Sequence, residues 1–301
     1  VAAMPLPPLT TSFWEDTKGF FRALPAIVCL VPTLLLGNAM QTASLLILPF
    51  SRKAFRRFNR GMADWWWGLC VSFSRWCHGT DIVVSGDELP LQENAVVVMN
   101  HQQMPDITFM MFLARSKQRL GDMKWFVKDI LKYVPGVGWG MLFIDCIFVK
   151  RDWTSDQEKI ATTFKSIVEG NVPIWLLSFV EGTRITPEKV EASRRYAEKS
   201  GLAPTQHVLI PRTKGFVASV QGLRQHVDAV YDITIGYEGG VPTMWQYIKG
   251  IVRRAHLHVR RFPVQELPID EEQLSDWLLQ LFRDKDQLLA HYYQHGTFPT
   301  A

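Results

Sequence analysis

Between Ala23 and Ser51 the chain carries no charged residue, and the runs Leu34-Leu35-Leu36 and Leu45-Leu46-Ile47-Leu48 are strongly apolar. This stretch exceeds the ~20 residues needed to cross a bilayer. Pro25, Pro32, Asn38, Gln41 and Pro49 interrupt it, so a bent or re-entrant helical pair fits the pattern as well as one straight span does. A secretory signal fits worse, because the run is too long and lacks a basic n-region. Directly after it come Arg52, Lys53, Arg56, Arg57 and Arg60. Positive charge beside an apolar span marks the cytoplasmic side and attracts anionic lipid by about 1 kcal/mol per residue. Trp65-Trp66-Trp67, Phe73 and Trp76 follow, a composition suited to the membrane interface. Residues 1–78 read as a membrane-anchoring helical module.

After Gly79 the pattern changes. Short apolar runs at Ile82–Ser85, Ala95–Met99, Phe143–Val149, Ile174–Phe179, Val208–Ile210, Ala229–Ile235 and Ala255–Val259 predict strands. Between them, helical periodicity covers Asp106–Lys117, Ser155–Glu169, Pro187–Ser200, Lys214–Gln225 and Asp270–Tyr293. In the second of these, Ile160, Ala161, Phe164, Ile167 and Val168 recur at helix spacing. Strands alternating with helices predict an α/β domain over 79–301, with a mostly parallel sheet flanked by helices and the membrane-associated segment in front of it.

Composition narrows the partners. At 47% hydrophobic and 21% charged residues the chain is that of a folded protein. A net charge of +4 is too small to argue nucleic-acid binding, and basic residues interleaved with stacking aromatics are not evident. The four cysteines (Cys29, Cys70, Cys77, Cys146) form no CxxC pair. They read as buried or membrane-embedded thiols in a reducing compartment.

The chemistry starts where Val96–Met99 ends on Asn100-His101, with Asp106 five residues beyond the histidine. A histidine with a carboxylate partner is the usual means of drawing a proton from a hydroxyl. Five residues apart on a continuous helix, the two would point roughly 140° away from each other. Pro105 resolves this: it disfavours a helical Met104 and suits the first helical position. His101 then lies on the preceding turn and folds back toward Asp106. Three further polar clusters sit at predicted strand ends: Lys150-Arg151, Glu181-Gly182-Thr183-Arg184, and Pro211-Arg212-Thr213-Lys214. Basic residues at three strand ends beside a His/Asp pair suit a phosphate-bearing ligand whose hydroxyl awaits deprotonation. His101, Asp106 and Glu181 lack a metal-ligand spacing, so no metal is expected.

These segments resemble, in order and approximate spacing, the four blocks of the glycerolipid acyltransferases, the 1-acylglycerol-3-phosphate acyltransferase family. Asn100-His101 through Asp106 resembles the first block and Phe148 through Arg151 the second. Glu181-Gly182-Thr183-Arg184 resembles the third, and Ile210-Pro211 the fourth. Flanks at Lys128–Trp139, Pro211–Phe216, Val230–Thr234 and Arg260–Pro263 are similar to the larger eukaryotic-type branch and its bacterial relatives. The turn Gln102-Gln103-Met104-Pro105 departs from any one subgroup.

The resemblance implies transfer of a fatty acyl chain from acyl-CoA to the free hydroxyl of lysophosphatidic acid, with acyl-CoA a co-substrate and no resident cofactor. His101 would be the general base and Asp106 the residue that fixes its tautomer. Asn100, Lys150, Arg151, Glu181, Gly182, Thr183, Arg184, Pro211 and Lys214 fall on the acceptor side. The arginines would hold phosphate, and Glu181 would orient Arg184 or a glycerol hydroxyl. Pro211 would shape the fourth block, with Lys214 a second phosphate or CoA contact. Remodelling of another lysophospholipid, such as lysocardiolipin or lysophosphatidylinositol, would use the same blocks, as would transacylation; a non-catalytic lipid-binding protein is the remaining alternative. The lipid substrate implies a membrane location with the active site on the cytoplasmic face: the endoplasmic reticulum in a eukaryote, the inner membrane in a bacterium.

Overall fold

A computed structural model describes residues 8–150 and 152–299. Helix α1 runs Phe13–Ala43 and is opened by a capping box in which Ser12 and Glu15 satisfy each other's backbone amides. Pro25 and Pro32 lie inside it. A 3-10 turn, Ser44–Leu46, leads to α2, Arg52–His78, which ends on the left-handed Gly79. The uncharged stretch is therefore one arm of a helical pair. Asn59 Nδ2 donates to Ser44 Oγ at 2.9 Å and Trp66 Nε1 to the Leu30 carbonyl at 3.2 Å, clamping the two helices together. Phe20, Phe21, Val28, Leu35 and Leu36 stand exposed on α1, which is long and apolar enough to cross a membrane.

The basic and aromatic residues of α2 divide between two tasks. Ala63, Trp67 and Val71 enter the core beneath the sheet, Trp67 lying 5.4 Å from the ring of Trp125. Arg56 pairs with Asp145 and Arg60 with Asp122, so two of the five basic residues fasten the helix to the α/β domain. Arg52, Lys53, Arg57, Trp65 and Trp76 remain exposed.

The rest of the chain runs β1 (Asp81–Gly86), β2 (Ala95–Met99), α3 (Pro105–Ser116), β3 (Met123–Lys128), α4 (Val137–Leu142), β4 (Ile147–Val149), α5 (Trp153–Glu169), β5 (Trp175–Ser178), α6 (Pro187–Lys199), α7 (Thr213–Leu223), β6 (Ala229–Tyr237), α8 (Met244–Ile248), β7 (Arg254–Pro263) and α9 (Glu271–His295). Among the described residues the strands form one sheet in the order β1-β7-β6-β2-β5-β3-β4. Five neighbouring pairs are parallel; β6 and β7 are antiparallel. All of β2 is buried, and its alternation explains why. Val97 and Met99 face the core shared with α2 and α3, while Val96 and Val98 face the core under α5, α7 and α9.

Three strand expectations change. Val208–Ile210 is not a strand, because its amides are taken elsewhere: Leu209 N–H by Glu181 and Ile210 N–H by Ser193 Oγ. The strand expected over Phe143–Val149 begins only at Ile147. Strand β3 was not foreseen. Lys124 breaks its apolar pattern, yet that side chain is buried and donates to the Ile144 carbonyl at 2.9 Å.

Candidate active site

Strands β2 and β5 are parallel neighbours, so their C-terminal ends lie side by side. His101 follows one and Phe179 to Arg184 the other. The segment before α7 is drawn to the same edge by Arg212 N–H, which donates to the Val180 carbonyl at 2.8 Å. Three of the four blocks thus meet. Lys150 ends β4, three strands from β2 across β5 and β3, about 14 Å away at the usual inter-strand spacing. It is exposed, with its N–H held by Asp156 at 2.9 Å. Arg151 lies outside the described residues.

His101 Nδ1 lies 2.9 Å from Asp106 Oδ2. The turn differs from expectation in one respect: Met104 is helical (φ −56°, ψ −35°) even though proline follows it. The fold-back toward His101 is instead secured by Asp106 itself, whose Oδ2 accepts the Gln102 and Gln103 amides at 2.7 and 2.9 Å. These amides belong to the turn just before α3, and a buried carboxylate that accepts both closes that turn onto the helix start. Asp106 Oδ1 accepts the Tyr237 hydroxyl at 2.6 Å. Burial and the Asp106 charge push the Tyr237 phenol well above its ordinary value, so it stays a donor. The imidazole lies against Phe179, ring centroids 4.0 Å apart and planes 24° from parallel. With Nδ1–H directed at Asp106, Nε2 is the acceptor nitrogen. No hydrogen bond occupies it among the described residues.

Glu181 does not orient Arg184. Its Oε1 accepts the His101 amide at 2.8 Å and its Oε2 the Leu209 amide at 3.1 Å, so it ties the first, third and fourth blocks together. Burial pushes its carboxyl up to about 8, against the pull of both amides and of the Lys285 charge. Arg184 is held instead by Gln103 Oε1 at 2.6 Å. Gly182 sits at φ +71°, and a Cβ there would come within 3.0 Å of the Arg212 Nε. Thr183 Oγ1 accepts from Lys189 Nζ at 2.6 Å. Pro211 is buried, while Arg212 and Lys214 are exposed. Asn100 is turned into the sheet, where its amide exchanges two hydrogen bonds with the Ile235 backbone, at 2.8 and 3.2 Å.

Three residues of this arrangement were not singled out from sequence, Tyr237, Phe179 and Lys189, while Gln103 and Arg212 were noted only as parts of their segments. Strand alternation could have found Tyr237, since Tyr231, Ile233, Ile235 and Tyr237 all face the side that carries α3. The others are placed by tertiary contact alone.

A family model described as Acyltransferase matches residues 81–238, and one described as Acyltransferase C-terminus matches 246–301. These matches make the protein an acyltransferase. The 1-acyl-sn-glycerol-3-phosphate acyltransferase delta of Homo sapiens is 34% identical over 270 residues, covering 88% of this chain and 71% of that protein. The 1-acyl-sn-glycerol-3-phosphate acyltransferase 3 of Arabidopsis thaliana is 34% identical over 282 residues, covering 91% and 75%. The chain belongs to the 1-acylglycerol-3-phosphate acyltransferase family. The crystal structure of the 1-acyl-sn-glycerophosphate (LPA) acyltransferase from Thermotoga maritima shares the fold, with a TM-score of 0.54 at 17% identity over 92% of this chain and 95% of that one.

Proposed function

We propose that this protein transfers a fatty acyl chain from acyl-CoA to the free hydroxyl of lysophosphatidic acid, giving phosphatidic acid. The observation that carries this reading is the His101–Asp106 pair, its carboxylate buried and its Nε2 without a hydrogen bond among the described residues, at the sheet edge that also bears Arg184 and Arg212. His101 Nε2 takes the hydroxyl proton as the oxygen attacks the thioester carbonyl. The tetrahedral adduct collapses, the carbon–sulfur bond breaks, and the CoA thiolate recovers the proton from His101. Asp106 holds the ring tautomer and stabilises the imidazolium between those two transfers. Arg184, placed by Gln103, binds the acceptor phosphate, with Arg212 and Lys214 adding positive charge at the same edge.

The acceptor and the product are lipids, whereas acyl-CoA is soluble. Helix α1 in the bilayer, with Arg52, Lys53 and Arg57 toward anionic headgroups, supplies both phases to one site on the cytoplasmic side. That membrane is the endoplasmic reticulum in a eukaryote and the inner membrane in a bacterium. A panel of lysolipid acceptors, with and without acyl-CoA and followed by thiol release, tests the proposal. Fastest turnover with lysophosphatidic acid, dependent on acyl-CoA, is expected. Preference for lysocardiolipin or lysophosphatidylinositol, or transfer without acyl-CoA, would overturn it.

A further inference from the structure

The segment joining β3 to β4 has a feature the reaction does not use. Between Ile130 and Ile144 the one charged residue is Lys132, whose ammonium is neutralised by Asp129 at 2.6 Å and lies over the Tyr133 ring. Yet the apolar side chains point outward. Ile130 is 64% exposed, Tyr133 68% and Val137 49%, with Val134, Trp139 and Leu142 also open. This is a folded knob. Val134 N–H donates to the Leu131 carbonyl, Trp139 N–H to Val134 and Gly140 N–H to Gly136, at 2.9 to 3.2 Å. A Cβ on Gly138 would lie 2.0 Å from the Leu131 carbonyl oxygen, so the backbone there closes on itself. An ordered knob with its large apolar residues outside is an interaction surface.

Two observations say what covers it. The first is attachment to α1. Asn38, buried in the middle of that apolar helix, accepts the Gly136 amide at 2.9 Å through Oδ1 and donates to Gln41 through Nδ2. Leu34 abuts Gly136 from the same helix. Asn38 and Gln41, which interrupt the apolar run, are thus spent on docking the knob to a helix on which Leu35 and Leu36, the residues after Leu34, are themselves exposed. The second is position. The knob leaves the C-terminal end of β3, and β3 runs parallel to β5 and through it to β2, so it rises from the sheet edge that bears His101 and Glu181.

We propose that the knob Ile130–Leu142 is a second membrane-inserting element, which sets the active-site edge of the sheet down on the bilayer surface. It buries its aliphatic residues among acyl chains and keeps Tyr133 and Trp139 at the headgroup level, where such rings settle. The acceptor's tail then stays in lipid while its hydroxyl reaches His101. This rests on the reading of α1 as a bilayer helix, and the test separates the two.

In the full chain with Cys29, Cys70, Cys77 and Cys146 replaced by alanine, and activity as the check on folding, single nitroxides are placed at Ile130, Val137, Leu36 and Glu272. In vesicles of phosphatidylcholine and phosphatidylglycerol, labels at 130 and 137 should match the one at 36: several-fold more accessible to oxygen than to a nickel chelate, the reverse of 272. Labels at 130 and 137 behaving like 272, with 36 in lipid, would overturn the knob and leave α1 standing. Water exposure at 36 as well would overturn both. Exclusion of both reagents at 130 and 137 would mean contact with another copy of the chain, and would also overturn the proposal. The variant Tyr133→Asp/Val137→Asp should remain on vesicles through α1. It should lose at least tenfold in turnover of lysophosphatidic acid presented in a bilayer, but not in detergent; equal losses in the two would count against insertion.

Discussion

Asp106→Asn isolates the charge of the carboxylate from its shape. The asparagine oxygen can keep the place of Oδ2, facing His101 Nδ1 at 2.9 Å and the Gln102 and Gln103 amides at 2.7 and 2.9 Å. The new NH2 then faces Tyr237, whose hydroxyl rotates to accept. The turn and the tautomer survive, and what disappears is the negative charge opposite the imidazolium. At a separation of about 4 Å and an effective dielectric constant of about 20, that interaction is worth about 4 kcal/mol. It is absent while the histidine is neutral, so the loss falls on kcat, by about a thousandfold. KM for either substrate should move little, because Asp106 is buried and reaches neither. Thiol release with acyl-CoA and lysophosphatidic acid gives both constants, and thermal unfolding shows whether the fold survives. A fall in kcat smaller than about tenfold, with the unfolding midpoint kept, would refute the idea that Asp106 stabilises a cationic His101.

Three further outcomes follow from neighbouring contacts. Tyr237→Phe leaves Asp106 Oδ1 without its donor; kcat should fall by roughly tenfold and urea unfolding should show a loss of about 1–3 kcal/mol, whereas unchanged kcat would remove Tyr237 from the assembly. Lys285→Met breaks a fully buried ion pair with Asp232, 2.6 Å apart, and two bonds to Ile233 and Thr234; about 3 kcal/mol should be lost because Arg260 still faces Asp232, and a loss under about 1 kcal/mol would contradict that. Glu181 is raised by burial from 4.5 to about 8 in the folded state, so its stabilising contribution is full below 4.5, is lost as pH rises from there through 8, and is level above that; the unfolding midpoint of the wild type relative to Glu181→Gln should therefore fall between about pH 5 and 8 and then level off, and a constant difference across that window would refute it.

The sheet's central strands were legible because β2 is an unbroken apolar run, β5 is apolar up to Ser178, and β6 is apolar but for the buried Asp232 and Thr234, so all three read as strands buried on both faces. Strand β3 was hidden by Lys124, which reads as a surface residue until its partner, the Ile144 carbonyl, is seen 20 residues away. The strand expected at Val208–Ile210 failed for a related reason. Apolar and extended, it finds side-chain acceptors in Glu181 and Ser193 rather than a neighbouring strand. At the site, the local sequence carried His101 and Asp106, since the turn between them, closed by the Asp106 carboxylate on the Gln102 and Gln103 amides rather than by Pro105, brings them together. Glu181 does not orient Arg184, as the sequence had suggested it could, and neither residue's partner within the protein was legible. Glu181 faces backbone 28 and 80 residues distant, and Arg184 faces Gln103, 81 residues away. No local spacing encodes contacts of that range.

The central claim is that His101 is the base for the acceptor hydroxyl, and His101→Ala tests it most directly. Among the described residues its side chain is bonded to Asp106 alone and stacked on Phe179, so the fold should persist, with the unfolding midpoint within a few degrees of wild type. Transfer of labelled acyl chains from acyl-CoA to lysophosphatidic acid should fall below detection. A folded variant that still acylates at a tenth or more of the wild-type rate would contradict the account.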